Sequence, residues 1–227
     1  GSALKLFCRL MGDIDISEVE PARVLSFIAG KGPVTLTWHR KFYVLRLFYR
    51  FAISRGHATS SPLPSIVPKV PEPFQAYIYT TEELQRLLAA TSILKIEGPH
   101  VSRLRADTFR TLLLILYGAG LRLGEALSLT LTDVDLSENL LTVRNSKFFK
   151  SRLVPIGPRL AAELHSYAGK RRQLPHPAGQ DSAFLATRMG TDISGGYAEQ
   201  IFQLLRSAAG IRRDDGASYQ PRMHDLR

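Results

Sequence analysis

Three short segments of the sequence contain cationic or imidazole side chains in settings that suggest chemistry. Arg122 follows a Gly-Ala-Gly break at the end of a long apolar run. Lys147 lies in a basic stretch between two short apolar segments, and HDLR occupies residues 224–227. An arginine beside a core is costly to desolvate unless an anion meets it. The pattern therefore predicts an anion partner for Arg122, either a nearby carboxylate or a bound ligand.

Each segment also has an ordinary structural explanation. Arg122 could pair with Glu125, three residues further along the same short helix. Lys147 could be one of several solvated lysines in a turn, and His224 and Arg227 could be surface residues. Taken singly, the residues leave these alternatives open, because unusual charges in proteins are often only structural.

The elements that would position these residues can be predicted from capping signals and hydrophobic periodicity. Thr80 and Glu83 form a capping-box pattern at the start of a helix over 80–91. The segments LLTVR and RLVPI predict two short strands joined by a basic turn. Further helices are predicted at about 106–117 and about 122–129 and in the segments PRLAAELHSYAGKRRQL and SGGYAEQIFQLLRSAAG.

The first part of the chain is predicted to be helical. Ser17 is the expected cap of a helix within residues 16–30. Residues 35–56 form a longer amphipathic segment, in which five apolar positions repeat at helical spacing and are expected to face a core. These positions are Trp38, Phe42, Leu45, Tyr49 and Ala52.

Another face of the same segment is basic and aromatic. It contains His39, Tyr43, Arg46 and Arg50, with Arg40 and Lys41 nearby. Such a face suits a helix that lies along DNA phosphates. The solvated side of an ordinary amphipathic helix explains the same residues.

Composition narrows the possible classes. Thirty Lys and Arg against twenty Asp and Glu give a formal charge of +10, which favours a polyanionic partner such as nucleic acid. The single cysteine, Cys8, excludes an internal disulfide and a cysteine-based zinc cluster and fits a reducing compartment. No apolar run approaches the ~20 residues of a membrane span, so we expect a cytoplasmic protein with no membrane partner. Five prolines within residues 60–74 predict an extended linker between two domains.

Together and in this order, the motifs resemble the tyrosine recombinase (phage integrase) family. The resemblance is carried by YGAGLRLGEALSLTLTDVDL, by a hairpin ending in RLVPIG, and by His-x-x-Arg. It implies a mainly α fold with a small antiparallel β-hairpin or sheet (α+β). A helical, SAM-like core-binding domain is expected at 1–59, a proline-rich linker at 60–77 and an integrase catalytic domain at 78–227.

The resemblance also implies roles for the residues at matching positions. Arg122 and Arg227 match the arginines that clamp the scissile phosphate. Glu125 matches the acidic residue that orients the first arginine, and His224 matches the histidine that handles the proton of the nucleophile.

The hairpin turn is expected to supply a general acid. Lys147 matches the lysine that protonates the departing 5′-hydroxyl, and Lys150 is the second lysine of the turn. The local sequence SKFFK lacks the glycines of the family's usual turn, so Lys150 remains an alternative to Lys147. The residues expected to contact DNA are Arg40, Lys41, Tyr43, Arg46, Arg50, Lys150 and Arg152.

The implied reaction is site-specific recombination through a covalent 3′-phosphotyrosyl intermediate, without metal or cofactor. The implied partners are double-stranded DNA and further recombinase subunits, which form a tetramer on paired sites. In the family the nucleophilic tyrosine lies downstream of His-x-x-Arg, and none of the eight tyrosines here occupies that place. The chain is therefore expected to be a recombinase truncated at both ends, able to bind DNA but not to cut it.

Other classes explain part of the pattern. A DNA-binding regulator with a non-catalytic integrase-like fold would keep the basic helix but would not need the catalytic matches. A type IB topoisomerase or telomere resolvase uses similar phosphoryl chemistry, although the compact length and the Arg-x-Val-Pro hairpin favour the integrase type. The six histidines show no metal-ligand spacing, and no Walker or dinucleotide glycine motif is present.

Overall fold

The computed structural model of the chain describes residues 2–30, 34–70, 75–94, 105–144, 151–217 and 219–227. The chain divides into two compact units, Gly1–Phe74 and Gln75–Arg227. Their boundary lies inside the proline-rich segment predicted as a linker. The start of that segment belongs to the first unit, because Leu63 packs against its core. No helix in the described ranges is long and apolar enough to cross a membrane.

The first unit contains helices α1 (Ser2–Met11), α2 (Pro21–Ala29) and α3 (Leu36–Ser54). The hydroxyl of Thr35 caps α3 by accepting a hydrogen bond from the backbone N–H of Trp38 at 3.2 Å. The five apolar positions predicted to face the core are all buried. All except Ala52 belong to one core cluster with Phe7, Val24, Phe27 and Ile28 of the other two helices, so the predicted inner face of α3 is confirmed.

Helix α2 begins later than its sequence pattern suggests. Its first residue is Pro21, with Glu20 at the N-cap position. Proline suits that first position because its φ is already helical and the missing N–H has no partner to lose. The backbone N–H and the hydroxyl of Ser17 instead donate to Asp15 Oδ1, at 2.8 and 2.5 Å. The prediction of Ser17 as the cap is therefore wrong.

The second unit combines helices with one small sheet. Its three strands pair antiparallel in the order in which they follow along the chain, with Leu141 opposite Val154 in the hairpin. Its elements are α4 (Thr81–Ala90), α5 (Ala106–Ala119), α6 (Leu123–Leu127), β1 (Val134–Asp135), β2 (Leu140–Val143), β3 (Arg152–Pro155), α7 (Pro158–Arg171) and α8 (Gly195–Ala208). The predicted mainly α fold with a small antiparallel sheet is confirmed.

Helix α5 is the centre of the second core. Phe109, Leu112 and Ile115 are fully buried, and the helix packs against α6 and α7. Gly118 lies so close to α7 that a β-carbon would come within 3.2 Å of Leu160 Cδ2. Gly120 ends the helix with φ +61°, a left-handed conformation that glycine adopts without steric cost. The helix therefore ends two residues before Arg122, while Leu121 between them stays buried in the core.

Candidate active site

Two hydrogen bonds to Glu125 hold Arg122 at the start of α6. Its backbone N–H donates to Glu125 Oε2 at 2.9 Å, and its guanidinium Nη1 donates to Glu125 Oε1 at 2.9 Å. Helix α6 has only five residues, too few for a stable helix by itself. Both contacts follow from the i, i+3 spacing on this turn. The ion pair with Glu125 that the sequence left as an alternative is thus present.

The carboxylate of Glu125 also joins α6 to the hairpin. Arg152, the first residue of β3, donates from Nη1 to Oε1 at 3.0 Å and from Nη2 to Oε2 at 2.8 Å. This two-point pairing with Arg152, together with the backbone and side-chain hydrogen bonds from Arg122, lowers the pKa of Glu125 from its usual value of 4.5 to about 2. The buried side chain therefore stays ionised at neutral pH.

The guanidinium of Arg122 remains accessible in this arrangement. Its side chain is 47% exposed, whereas that of Glu125 is 9% exposed. Within the described ranges, Nη1 is the only guanidinium nitrogen of Arg122 with a hydrogen-bond partner. Glu125 therefore fixes the side chain at one nitrogen and leaves the other nitrogens able to meet an external anion.

The first three residues of the His-x-x-Arg motif lie in a short 3₁₀ turn over Met223–Leu226, and Arg227 follows as its C-cap residue. Its inner residues, Met223 and Leu226, are 1% and 4% exposed and belong to the second core. His224 and Arg227 are exposed, and residues three apart on such a turn lie on the same side. The turn therefore presents an imidazole and a guanidinium on one surface.

One long-range hydrogen bond brings this turn to α6. Arg227 Nε donates to the carbonyl oxygen of Gly120 at 2.8 Å, across 107 residues of sequence. Gly120 precedes Arg122 by two residues, so both predicted clamp arginines lie at the end of α5. The left-handed conformation of Gly120 turns the chain at the point where the two motifs meet.

The structure anchors both ends of the hairpin turn to buried carboxylates. Arg144, just after β2, pairs with Asp133, whose side chain is 3% exposed, and Arg152 pairs with Glu125. Sequence reasoning missed Arg144 and assigned Arg152 to DNA, whereas the guanidinium of Arg152 is bound twice within the protein. The sequence did contain a signal for this anchoring, because Arg144 and Arg152 flank the turn on its two sides. Lys147 and Lys150 fall outside the described residues.

Comparison with known proteins now places this chain. The sequence profile of the phage integrase family matches residues 78–227, which is most of the chain and the whole of the candidate site. The chain belongs to the phage integrase family. The match begins close to the start of the second compact unit, at Gln75.

Curated relatives of this chain include the Sinorhizobium fredii protein y4rB, which is 34% identical over 194 residues, covering 84% of this chain and 60% of that protein. Tyrosine recombinase XerC of Chlorobaculum parvum is 30% identical over 199 residues, covering 78% of this chain and 59% of XerC. The chain thus spans about three fifths of the length of these relatives.

Solved structures show the same fold at low sequence identity. A lambda integrase dimer bound to a COC′ core site superimposes with a TM-score of 0.65 at 16% identity, covering 99% of this chain and 60% of that one. The Tn1549 transposon integrase in complex with circular intermediate DNA gives 0.68 at 15% identity, covering 99% and 76%. At such identities the likeness shows the fold alone.

The predicted DNA face of α3 is only partly exposed. Arg40, Tyr43, Arg46 and Arg50 are exposed. Lys41 is engaged within the first unit instead. Its Nζ donates to the backbone carbonyl of Phe27 at 2.7 Å and lies 4.6 Å from the centroid of the Phe27 ring. The ammonium of Lys41 therefore serves the packing of α2 against α3, and its contact with DNA stays a prediction.

His39 does not share the exposed face to which its spacing assigned it. The residue is 4% exposed, and its ring meets that of Trp38 edge to face with centroids 5.0 Å apart. The prediction fails because the buried face of α3 is wide enough to include both Trp38 and His39.

The ionised state of Glu125 gives a pH-dependent stability prediction. Because the folded pKa is about 2 and the usual value is 4.5, the stabilisation is complete above about pH 4.5 and is lost as the pH falls toward 2. Replacing Glu125 by Gln should lower the free energy of unfolding by on the order of 3 kcal/mol near neutral pH. The difference from wild type should shrink by about 1 kcal/mol at a pH of about 3.5, as measured by urea unfolding.

A matched control is Glu163→Gln. Glu163 pairs with Arg110 at 3.1 Å, but both side chains are well exposed, at 44% and 39%. A surface pair of this kind contributes about 1 kcal/mol or less. Equal destabilisation by the two substitutions, or a Glu125 effect that does not vary with pH, would show that the Glu125 carboxylate is not the charged anchor described above.

Proposed function

We propose that this chain is the DNA-binding and phosphate-activating part of a site-specific DNA recombinase. The proposed reaction is cleavage and rejoining of DNA strands through a covalent 3′-phosphotyrosyl intermediate. The observation that carries the proposal is the hydrogen bond from Arg227 to the carbonyl of Gly120. It brings two accessible arginines from distant motifs to one end of α5. Two guanidiniums at one place suit the binding of a phosphate group.

The chemistry of the proposal follows from charge. Attack on a phosphodiester builds negative charge on the non-bridging oxygens, and guanidiniums held in advance stabilise that charge. Glu125 would act as a positioning residue that keeps Arg122 in place. His224, exposed on the same turn as Arg227, would accept or return the proton of the nucleophile, and Lys147 would protonate the departing 5′-oxygen.

We further propose that the two units divide the work. The helical unit would hold DNA through α3, and the integrase domain expected at 78–227, which lies within the second unit, would hold the scissile phosphate. Relatives of the same fold are described as a lambda integrase dimer bound to a core site and a tetramer bound to a Holliday junction. Double-stranded DNA, further recombinase subunits and a cytoplasmic location are accordingly part of the proposal.

The alternative is a DNA-binding protein that keeps the fold without catalysis. It predicts affinity for DNA with no dependence on the fork geometry of the two arginines. The DNA affinities of lysine variants at these two positions separate the alternatives.

We expect Arg122→Lys and Arg227→Lys each to weaken binding of duplex DNA by about three- to tenfold. Lysine keeps the charge but loses the planar fork that grips phosphate at two points. If both arginines meet one phosphate, the double variant should lose less than the product of the single losses. Fluorescence anisotropy at fixed salt measures all three affinities.

Arg172→Lys is the control for this experiment. Arg172 is exposed at the end of α7 and belongs to no proposed site. The DNA affinity of this variant should therefore match that of wild type. Wild-type affinity in both clamp variants would favour the non-catalytic alternative.

A second prediction concerns α3. Arg46→Ala and Arg50→Ala should each reduce the salt dependence of DNA binding, lowering the slope of log affinity against log salt by about one. Arg9→Ala removes the same charge from an exposed position on α1 and should leave that slope unchanged. An unchanged slope in both α3 variants would show that Arg46 and Arg50 lie on the solvated face of an amphipathic helix and do not contact DNA.

A third prediction concerns the nucleophile. We expect the 227-residue chain to bind a labelled suicide DNA substrate without forming a covalent adduct. Hydroxyls of three tyrosines are already engaged: Tyr77 binds Glu83, Tyr79 binds the carbonyl of Arg222, and Tyr167 is buried against α5. The hydrogen bond to Glu83 raises the pKa of Tyr77 to about 12, and burial raises the pKa of Tyr79 and Tyr167, which disfavours the nucleophilic phenolate.

Denaturing electrophoresis after incubation would reveal any protein–DNA adduct, and peptide mapping would assign it. An adduct on any of the eight tyrosines would contradict this expectation while supporting the cleavage chemistry.

A further inference from the structure

The placement of the His-x-x-Arg turn depends on contacts outside the motif. A four-residue 3₁₀ turn has little stability of its own, because few hydrogen bonds offset the ordering of its backbone. Burial of Met223 and Leu226 holds the inner side of the turn in the core. Apolar packing is non-directional, so it does not by itself fix where Arg227 points.

Directional contacts hold the two backbone carbonyls that precede the turn. Arg206 of α8 donates from Nη1 to the carbonyl of Pro221 at 2.9 Å. The hydroxyl of Tyr79 donates to the carbonyl of Arg222 at 3.0 Å, across 143 residues of sequence. Tyr79 is 9% exposed, so this hydrogen bond is shielded from competing water and is worth more than a surface contact.

The turn then continues from those carbonyls to Arg227. Arg222 starts it with two hydrogen bonds to Asp225, whose oxygens accept from the backbone N–H at 2.9 Å and from Nη2 at 3.2 Å. Asp225 is itself buried, with a side chain 2% exposed. A continuous series of contacts therefore runs from Tyr79 through the turn to Arg227 and Gly120.

We infer that Tyr79 is a positioning residue for the His-x-x-Arg turn, holding it so that Arg227 reaches the carbonyl of Gly120. The functional consequence rests on the proposed phosphate site, whereas the geometric consequence does not. Tyr79 lies between the start of the second unit and α4, whose cap is Thr80. The segment that enters the second unit thus sets the orientation of an arginine at the far end of the sequence.

The chain contains a matched control two residues earlier. Tyr77 meets Tyr79 edge to face, with ring centroids 5.0 Å apart, but its hydroxyl donates to Glu83 at 2.6 Å and not to the turn. Tyr77→Phe and Tyr79→Phe each remove one hydrogen-bonding hydroxyl and keep the ring. The two variants differ in whether the lost hydrogen bond reaches the His-x-x-Arg turn.

The first readout is solvent exchange of the Arg227 Nε–H, followed by NMR in the 227-residue protein. Tyr79→Phe should accelerate this exchange by about two- to tenfold, which corresponds to the loss of one hydrogen bond. Tyr77→Phe should leave it within about twofold of wild type. The backbone N–H of Leu141 in β2 reports global loosening, and its exchange should be alike in the two variants.

The second readout is affinity for duplex DNA. Tyr79→Phe should weaken binding, and combining it with Arg227→Lys should add little further loss, because both act on the same contact. Equal Arg227 exchange in the Tyr77 and Tyr79 variants would overturn the inference while leaving the phosphate site intact. Faster exchange in Tyr79→Phe together with wild-type DNA binding in Arg227→Lys would support the inference and count against the proposed function.

Discussion

A buried carboxylate, that of Glu125, is the interaction on which the candidate site depends. Removing an ionised carboxylate from water costs several kcal/mol unless donors replace the lost hydration. Here Arg122 and Arg152 supply those donors to both oxygens. Because the charge is satisfied only when α6 and β3 are both in place, the short helix and the hairpin are tied together.

A second constraint comes from the end of α5. The left-handed conformation of Gly120 closes the helix and leaves its carbonyl available to Arg227. A side chain at this position would be strained, and a continued helix would bond that carbonyl to its own backbone. The same turn that frees Arg122 from the core therefore provides the acceptor for the second arginine.

The site repeats one local arrangement. Arg122 with Glu125, and Arg222 with Asp225, each form a box in which an acidic residue three positions on binds the backbone N–H and the side chain of the first residue. Each box starts a turn too short to persist alone, and each turn presents an arginine of the proposed clamp. Local capping thus gives shape, while buried contacts from other elements give position.

The sequence by itself determined what depends on neighbours along the chain. The capping box of Thr80, the inner face of α3 and the pairing of Arg122 with Glu125 all follow from residues three or four positions apart, which a helix places side by side. The hairpin strands follow from alternation and from the turn between them. For the same reason the motifs were enough to indicate the family.

Only the tertiary structure decided which distant groups meet. No periodic pattern indicates that Arg227 reaches Gly120, that Tyr79 holds the carbonyl of Arg222, or that Lys41 bonds to Phe27 instead of facing solvent. These contacts join residues on different elements of the same unit, and they form because packing within each core brings their donors and acceptors within reach. A buried hydrogen-bonding group must find a partner, but the identity of that partner is set by three-dimensional packing and not by spacing in the chain.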